Sequence, residues 1–310
     1  MLNNIKTFVG KTKDGVKVDV IDLTPLYLSN KKLFNKLFSE SQKIYNYSFP
    51  KWECETASRV KWWYFDKPIK DNSLERSFYL TSIINGDSKG MACLFLKVID
   101  DFSVVFFDYI AIDKNYYNKG IGSLLLEAFF KNPYLRSIER KKPLKYLILE
   151  VKKPETNYRD KNRDLVRPVF YHKILGASAA VIIDKTNNVH LIPFCSPSIK
   201  KNRRIQPPVP FLFLLTEIDK GNLEKITIEP GTAINQSGKL ICDKKKLKRL
   251  DKIKGLKIIL TFIDSYKDGN SGYSDLQIEN IKRRIIKSLD ESEYIYFIPV
   301  HDTRYLQSCK

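Results

Sequence analysis

In the stretch Tyr117-Asn118-Lys119-Gly120-Ile121-Gly122-Ser123, two glycines stand at the front of an apolar run. Without a Cβ they let a ligand approach the backbone, and the first amides of a helix lack intrahelical partners. Such a turn can cradle a phosphate or pyrophosphate, with the helix dipole adding a smaller attraction. The same two glycines also suit a tight strand-to-helix connection with no ligand. Two carboxylates interrupt apolar runs, Asp108 in VVFFDYIAI (Val104 to Ile112) and Glu150 in LKYLILEV (Leu144 to Val151). A carboxylate is costly there unless paired or used, so each is a candidate proton acceptor and equally a structural hydrogen-bonding group.

Spacing excludes the commonest phosphate loops. A Walker loop needs GxxxxGK followed by Ser or Thr, and a dinucleotide fingerprint needs a third glycine where Leu125 stands. Five scattered cysteines, Cys54, Cys93, Cys195, Cys242 and Cys309, form no CxxC, and His172, His190 and His301 form no HExxH. A disulfide framework and a protein metal site are therefore not expected. The balance of 54 basic against 35 acidic residues gives +19, which favours anionic partners. Lys200 to Arg204 and Lys244 to Arg249 are basic clusters that lack the glycine-aromatic pattern of an RNA-recognition motif. No run is apolar enough to span a membrane and the first residues lack a signal-peptide design, so the expected setting is the cytoplasm.

The elements that must position these residues follow from periodicity. Val16 to Leu23 alternates like an edge strand, Asn30 to Tyr45 has helical spacing, and Ser77 to Ile84 and Met91 to Val98 flank a hairpin connection at Asn85 to Gly90. Val104 to Ile112, the glycine turn and the following run read as strand, turn, helix. Leu144 to Val151 reads as a strand, Lys152 to Arg167 as a charged loop, Arg167 to Ala177 as a short helix with a glycine cap, and Ala177 to Ile183 and Phe211 to Leu215 as strands. Beyond residue 220, Leu256 to Ile263 reads as a strand, Ser274 to Leu289 as an amphipathic helix, and Tyr294 to Val300 as a strand, with Asp264 to Tyr273 a loop.

The order strand, xxxGxG, helix resembles the acyl-CoA loop of the GNAT superfamily of N-acetyltransferases. Phe170, Tyr171, Leu175, Gly176 and Ala177 resemble that family's FY-x-x-L-G-[FA] helix with one residue inserted. The resemblance implies an α/β (α+β) fold with a mixed central sheet flanked by helices over residues 1–220, followed by a small C-terminal α/β extension, 221–310. It implies acetyl-CoA as co-substrate, with no metal, and direct transfer of the acetyl group to an amine, on a small molecule or a protein. Backbone groups near Ile110 and Ile112 would hold the pantetheine arm. Amides from Asn118 to Ser123 would bind the pyrophosphate. Tyr171 would protonate the leaving thiolate, and Glu150, resembling an acidic position of some members, is favoured slightly over Asp108 as the base. Tyr117 stands where the family has Arg or Gln, a loss of charge that Lys114 or Lys119 can replace. Two readings compete: a catalytically degenerate binding module recognising a protein or nucleic acid, and an acyltransferase acting on an RNA-bound substrate, motivated by the charge.

Overall fold

The computed structural model describes residues 8–49, 51, 54–66, 75–152, 161–196, 200–201, 204–205, 209–219, 222–223, 239–266, 274–290 and 292–300. The chain divides into two compact units, Met1–Lys145 and Tyr146–Lys310. The fold is mixed α/β, its strands pairing almost throughout as antiparallel neighbours with helices against them.

In the first unit, β1 (Phe8–Lys11), β2 (Lys17–Asp22), β3 (Arg76–Ile84), β4 (Asp87–Ile99) and β5 (Phe102–Ile112) lie side by side in chain order, each antiparallel to the next. The strand expected at an edge, Val16 to Leu23, is internal. Its outer side is covered by β1, which is only four residues long and contains a glycine, too little for an alternation to show. The β3–β4 hairpin turns on Asn85 and Gly86, at φ 53° and 85°, the positive-φ pair that a two-residue type I′ turn requires. The expected six-residue connection is therefore mostly strand.

Helices α1 (Leu23–Ser29), α2 (Lys31–Ser48) and α3 (Ala57–Lys61), the last running into a π-helical turn at Trp62–Asp66, precede the hairpin. Helices α4 (Ile121–Phe130) and α5 (Pro133–Glu139) follow β5. The start of α2 is set by Asn30, whose Oδ1 accepts from the Leu33 amide at 3.0 Å. Phe34, Leu37, Phe38 and Tyr45 of α2 pack with Tyr64, Phe65, Tyr79, Met91, Cys93 and Ala111 in one buried cluster. On α4, Phe129 meets Phe78 edge to face at 5.1 Å. Buried hydroxyls tie α2 to the hairpin: Ser41 Oγ bonds Thr81 and Ser88 at 3.0 Å each, and Thr81 donates to the Gly90 carbonyl at 3.0 Å.

In the second unit, β6 (Leu144–Lys152) pairs with β12 (Val209–Asp219), β12 with β7 (Ser178–Ile183), β7 with β15 (Tyr294–Pro299), and β15 with β14 (Arg249–Asp251), all antiparallel. Shorter strands β8 (Val189–Leu191), β9 (Phe194–Ser196) and β13 (Asn222–Leu223) extend this sheet, and β10 (Lys200–Lys201) with β11 (Arg204–Ile205) forms a separate ribbon. Strands from both sides of residue 220 thus share one sheet. Helix α6 (Lys161–Leu175) begins six residues before the expected helix, so part of the Lys152 to Arg167 loop is helical, with Pro168 inside it; residues 153–160 lie outside the described set. The expected strand Leu256 to Ile263 is instead helix α7 (Lys252–Asp264). Asp251 caps it, its Oδ1 accepting from the Ile253 amide at 2.9 Å, and its buried residues Gly255, Ile258, Ile259, Phe262 and Ile263 recur at helical spacing. The β-branched residues misled a reading by type. Helix α8 (Asp275–Ser288) opens on the Ser274–Gln277 capping box. Residues 267–273 of the expected loop lie outside the described set.

Among the described residues no helix is long and apolar enough to cross a membrane. Asp22, 3% exposed, accepts from Arg76 Nη2 at 2.8 Å, Asn132 Nδ2 at 3.3 Å and the Thr24 amide at 3.0 Å, joining β2, β3 and the starts of α1 and α5. Removing one member of a buried pair leaves its partner uncompensated. Asp22→Ala is expected to cost about 3 kcal/mol in urea unfolding, and Asp22→Asn, which keeps the acceptor oxygen, less.

Candidate active site

After β5, Asp113 caps a single 3₁₀ turn at Lys114–Tyr116, its Oδ1 accepting from the Asn115 amide at 3.0 Å. Asn118 and Gly120 then take φ of 61° and 86°, and the second of these left-handed residues is the N-cap of α4. Gly120 carries no side chain to cap the helix. The amides of Ile121, Gly122 and Ser123 therefore open α4 without a capping side chain from that position, a cluster of donors suited to an anion.

Two close contacts hold the turn. The Lys13 amide donates to the Lys119 carbonyl at 3.0 Å, and Lys119 Nζ reaches Asp14 Oδ2 at 3.0 Å. The Asp14 carboxyl is held below its usual range by the Thr12 hydroxyl and then by Lys119. Beneath the helix start, a Cβ on Gly90 would stand 2.8 Å from Ile112 Cδ1 and 3.1 Å from Ile121 Cγ2, and one on Gly10 would stand 2.5 Å from Leu124 Cδ2. Both glycines let α4 settle directly onto the sheet. Around the turn, Lys89 and Lys119 lie over the Tyr116 ring at 5.7 and 5.3 Å, and Lys114 over the Tyr47 ring at 5.3 Å. Tyr117 itself is 51% exposed.

Further back along β5 the ladder is irregular. Cys93 faces Tyr109 and Leu94 faces Phe107, so Asp108 is the extra residue of a β-bulge. Its Oδ2 accepts from the Tyr64 hydroxyl at 2.5 Å. The side chain is open to solvent, yet protein atoms crowd it closely enough that desolvation pushes its carboxyl up to about 7 against the opposing Tyr64 hydrogen bond. Asp108 is thus a solvent-reached carboxyl with protein atoms packed closely around it. The charge of Glu55 also raises its pKa, and the Asp108 charge in turn raises those of the nearby Tyr45, Tyr109 and Cys93. The strand distance from Asp108 to Ile112 is about 13 Å at 3.3 Å per residue, and Ile110 and Ile112 lie half-buried along it.

Glu150 and Tyr171 belong to the second unit. Glu150, on β6, sits opposite Phe213 of β12 and is half-buried. Tyr171 is half-buried in the last turns of α6, stacked edge to face on Phe170 at 5.4 Å. Desolvation, partly offset by Arg167, pushes its hydroxyl up to about 12, so it is protonated at neutral pH. Gly176, at φ 66°, ends that helix, and its amide donates to the His172 carbonyl at 2.9 Å. Within the same unit the basic run at Lys244 is largely engaged: Lys244 donates to the Ile183 carbonyl at 2.9 Å, Lys248 lies 3.6 Å from Glu217, and Arg249 covers the Tyr294 ring at 4.3 Å. Among the described residues no group of three or more His, Cys, Asp or Glu is arranged to hold a metal.

No protein-family profile and no curated relative matches this sequence. Solved structures to which it is similar include acetyltransferases. The GNAT domain of S. lividans PAT is 11% identical with TM-score 0.37, covering 68% of this chain and 96% of that one. Ard1 from Thermoplasma volcanium is 12% identical with TM-score 0.35, covering 66% and 99%. An aminoglycoside 6'-N-acetyltransferase complexed with coenzyme A is 7% identical with TM-score 0.37, covering 64% and 96%. Likeness at this level assigns no residue and no substrate.

Sequence reasoning finds Asp108 from its place in an apolar strand but misses the bulge that singles it out, and it misses Tyr64 altogether. The only signal for Tyr64 is the aromatic run Trp62-Trp63-Tyr64-Phe65, which also reads as core. Asp108 binds its proton more tightly folded than unfolded, so the folded state holds more protons between about pH 4 and 7. Stability is therefore expected to fall as pH rises through that window. In Asp108→Asn that component of the decline should vanish, as measured by urea unfolding at a series of pH values.

Proposed function

We propose that this protein is an N-acetyltransferase that moves an acetyl group from acetyl-CoA to an amine by direct attack, with the acyltransferase segment over residues 1–220 and residues 221–310 appended to it. The observation that carries this reading is the Gly120-opened start of α4, seated by Gly10 and Gly90 and rimmed by Lys89, Lys114 and Lys119. The uncapped amides of Ile121, Gly122 and Ser123 fit a pyrophosphate, and Asn118 and Lys119 complete the turn. In the absence of Arg or Gln at Tyr117, the lysines supply the positive charge. Backbone groups of Ile110 and Ile112 fit the pantetheine arm.

In the proposed reaction the amine nitrogen, once neutral, attacks the thioester carbonyl carbon; the new C–N bond forms and the C–S bond breaks. The base takes the ammonium proton and the leaving thiolate takes one from an acid. Tyr171 fits the acid, since its hydroxyl keeps its proton at neutral pH. Asp108 also fits the base, because a carboxyl pushed up to about 7 is half ionised near neutral pH and is reached by solvent.

Calorimetric titration tests the donor site. The native protein is expected to bind acetyl-CoA, and Gly122→Glu, which adds bulk and negative charge at the amides, to show no measurable heat; a native protein that does not bind overturns the reading. Tyr171→Phe is expected to lower kcat by about 10-fold or more while leaving acetyl-CoA affinity unchanged, checked by steady-state kinetics beside the same titration.

A further inference from the structure

The surroundings of Asp108 have a chemical character at odds with the rest of the chain. Among the described residues, no cation is paired with the Asp108 carboxylate; its hydrogen-bond partner is the Tyr64 hydroxyl. Glu55, the other carboxylate nearby, is already matched by Arg59 at 2.9 Å. The remaining surroundings are aromatic. Tyr64 stacks on Phe95 at 4.7 Å, Trp63 meets Phe95 edge-on at 5.6 Å, and Tyr109 meets Tyr45 and Phe49 at 4.9 and 5.2 Å. Tyr45 and Tyr64 are 1% and 2% exposed, whereas Phe49, Trp63, Phe95 and Tyr109 are only partly buried and keep ring surface open.

We infer that this carboxylate and its aromatic surround select a hydrophobic primary monoamine, its ammonium on the Asp108 carboxylate and its apolar stem on the rings of Phe49, Trp63, Phe95 and Tyr109, with Tyr64 as the residue that positions the carboxylate. One unmatched carboxylate satisfies one ammonium through a charge-assisted hydrogen bond. Exposed ring faces favour a cation close by and an apolar stem beyond it. A polyamine would bring further charges with no carboxylate to meet them, and would approach a chain of net charge +19. Tyr64 is delivered by the π-helical turn Trp62–Asp66, whose Asp66 accepts in turn from the Tyr27 hydroxyl, so the middle and the end of the turn are each tied by a tyrosine–carboxylate bond. As acceptor selection this inference rests on the acetyl transfer proposed above; as amine binding it does not.

The test is titration of the full-length protein with 2-phenylethylamine and, separately, with spermidine, each with and without saturating CoA, between pH 6 and 9. The aryl amine keeps its proton through most of that range, like a lysine. It is expected to bind at least 10-fold more tightly than spermidine, with affinity rising as Asp108 ionises and Asp108→Asn losing 10-fold or more. In Tyr64→Phe the midpoint of that pH dependence should move upward, because the lost hydrogen bond favoured the ionised carboxylate. A Tyr64 with only a packing role would lower thermal stability and leave the midpoint in place. Should Asp108→Asn fail to fold by circular dichroism, Phe95→Ala takes its place, with loss of the preference for the aryl amine as the expected result. Absence of 2-phenylethylamine binding in both CoA conditions, equal or tighter binding of spermidine, or an unmoved Tyr64→Phe midpoint overturns the inference. Amine binding without acetyl-CoA binding would overturn the transferase reading and leave the monoamine site standing; acetyl-CoA binding without amine binding would do the reverse.

Discussion

One extra residue in β5 is the constraint on which the setting of Asp108 depends. A regular antiparallel ladder alternates faces at every step, so a carboxylate in an apolar strand would be either buried against the helices or turned fully to water. The bulge at Asp108 does neither. It adds a residue opposite the Cys93–Leu94 step, keeps the strand apolar on both sides of the insertion, and brings the carboxyl to Tyr64 while leaving it open to solvent. The carboxyl retains access to water and a hydrogen bond, yet is surrounded closely enough for desolvation to dominate its proton affinity.

The end of α2, the π-helical turn and β4 supply the aromatic surround of Asp108, while α4 approaches the sheet through its own glycine contacts. Phe34, Phe38, Phe65 and Tyr79 form a continuous aromatic body in which Phe34 and Phe65 meet at 4.8 Å and Phe38 and Tyr79 at 5.6 Å. Such a body resists rearrangement because shifting one ring displaces its neighbours. The π-helical turn is anchored in it by Phe65, fully buried, so the hydroxyl of the preceding Tyr64 is delivered from a fixed base.

Much of this was legible in the residues, and the failures have physical causes. The strand, turn and helix from Val104 to Ala128 could be read because β-branched and aromatic residues give way abruptly to glycine. Helix α2 could be read because its apolar residues between Asn30 and Tyr45 recur at helical spacing. Helix α7 was misread because Ile258, Ile259 and Thr261 favour strands by type, although Gly255, Ile258, Ile259, Phe262 and Ile263 are spaced for a helix; tertiary burial of that face overrode local preference. β1 was invisible because four residues carry no period. The bulge left no mark in composition at all, since an insertion changes register and not residue type, and Tyr64 could not be assigned a partner 44 positions away.

The turn before α4 is tied down before any ligand arrives. Lys13 and Asp14 hold Lys119 from the side, and Gly90 and Gly10 let the first two turns of the helix rest on the strands below. A flexible loop must lose conformational freedom when it closes on an anion, and that loss is subtracted from affinity. Here the donors already point outward from a braced frame, so their ordering has been completed during folding. In the donor complex proposed above, association at this turn should resemble a key meeting a rigid lock, with little ordering of its backbone to slow the encounter.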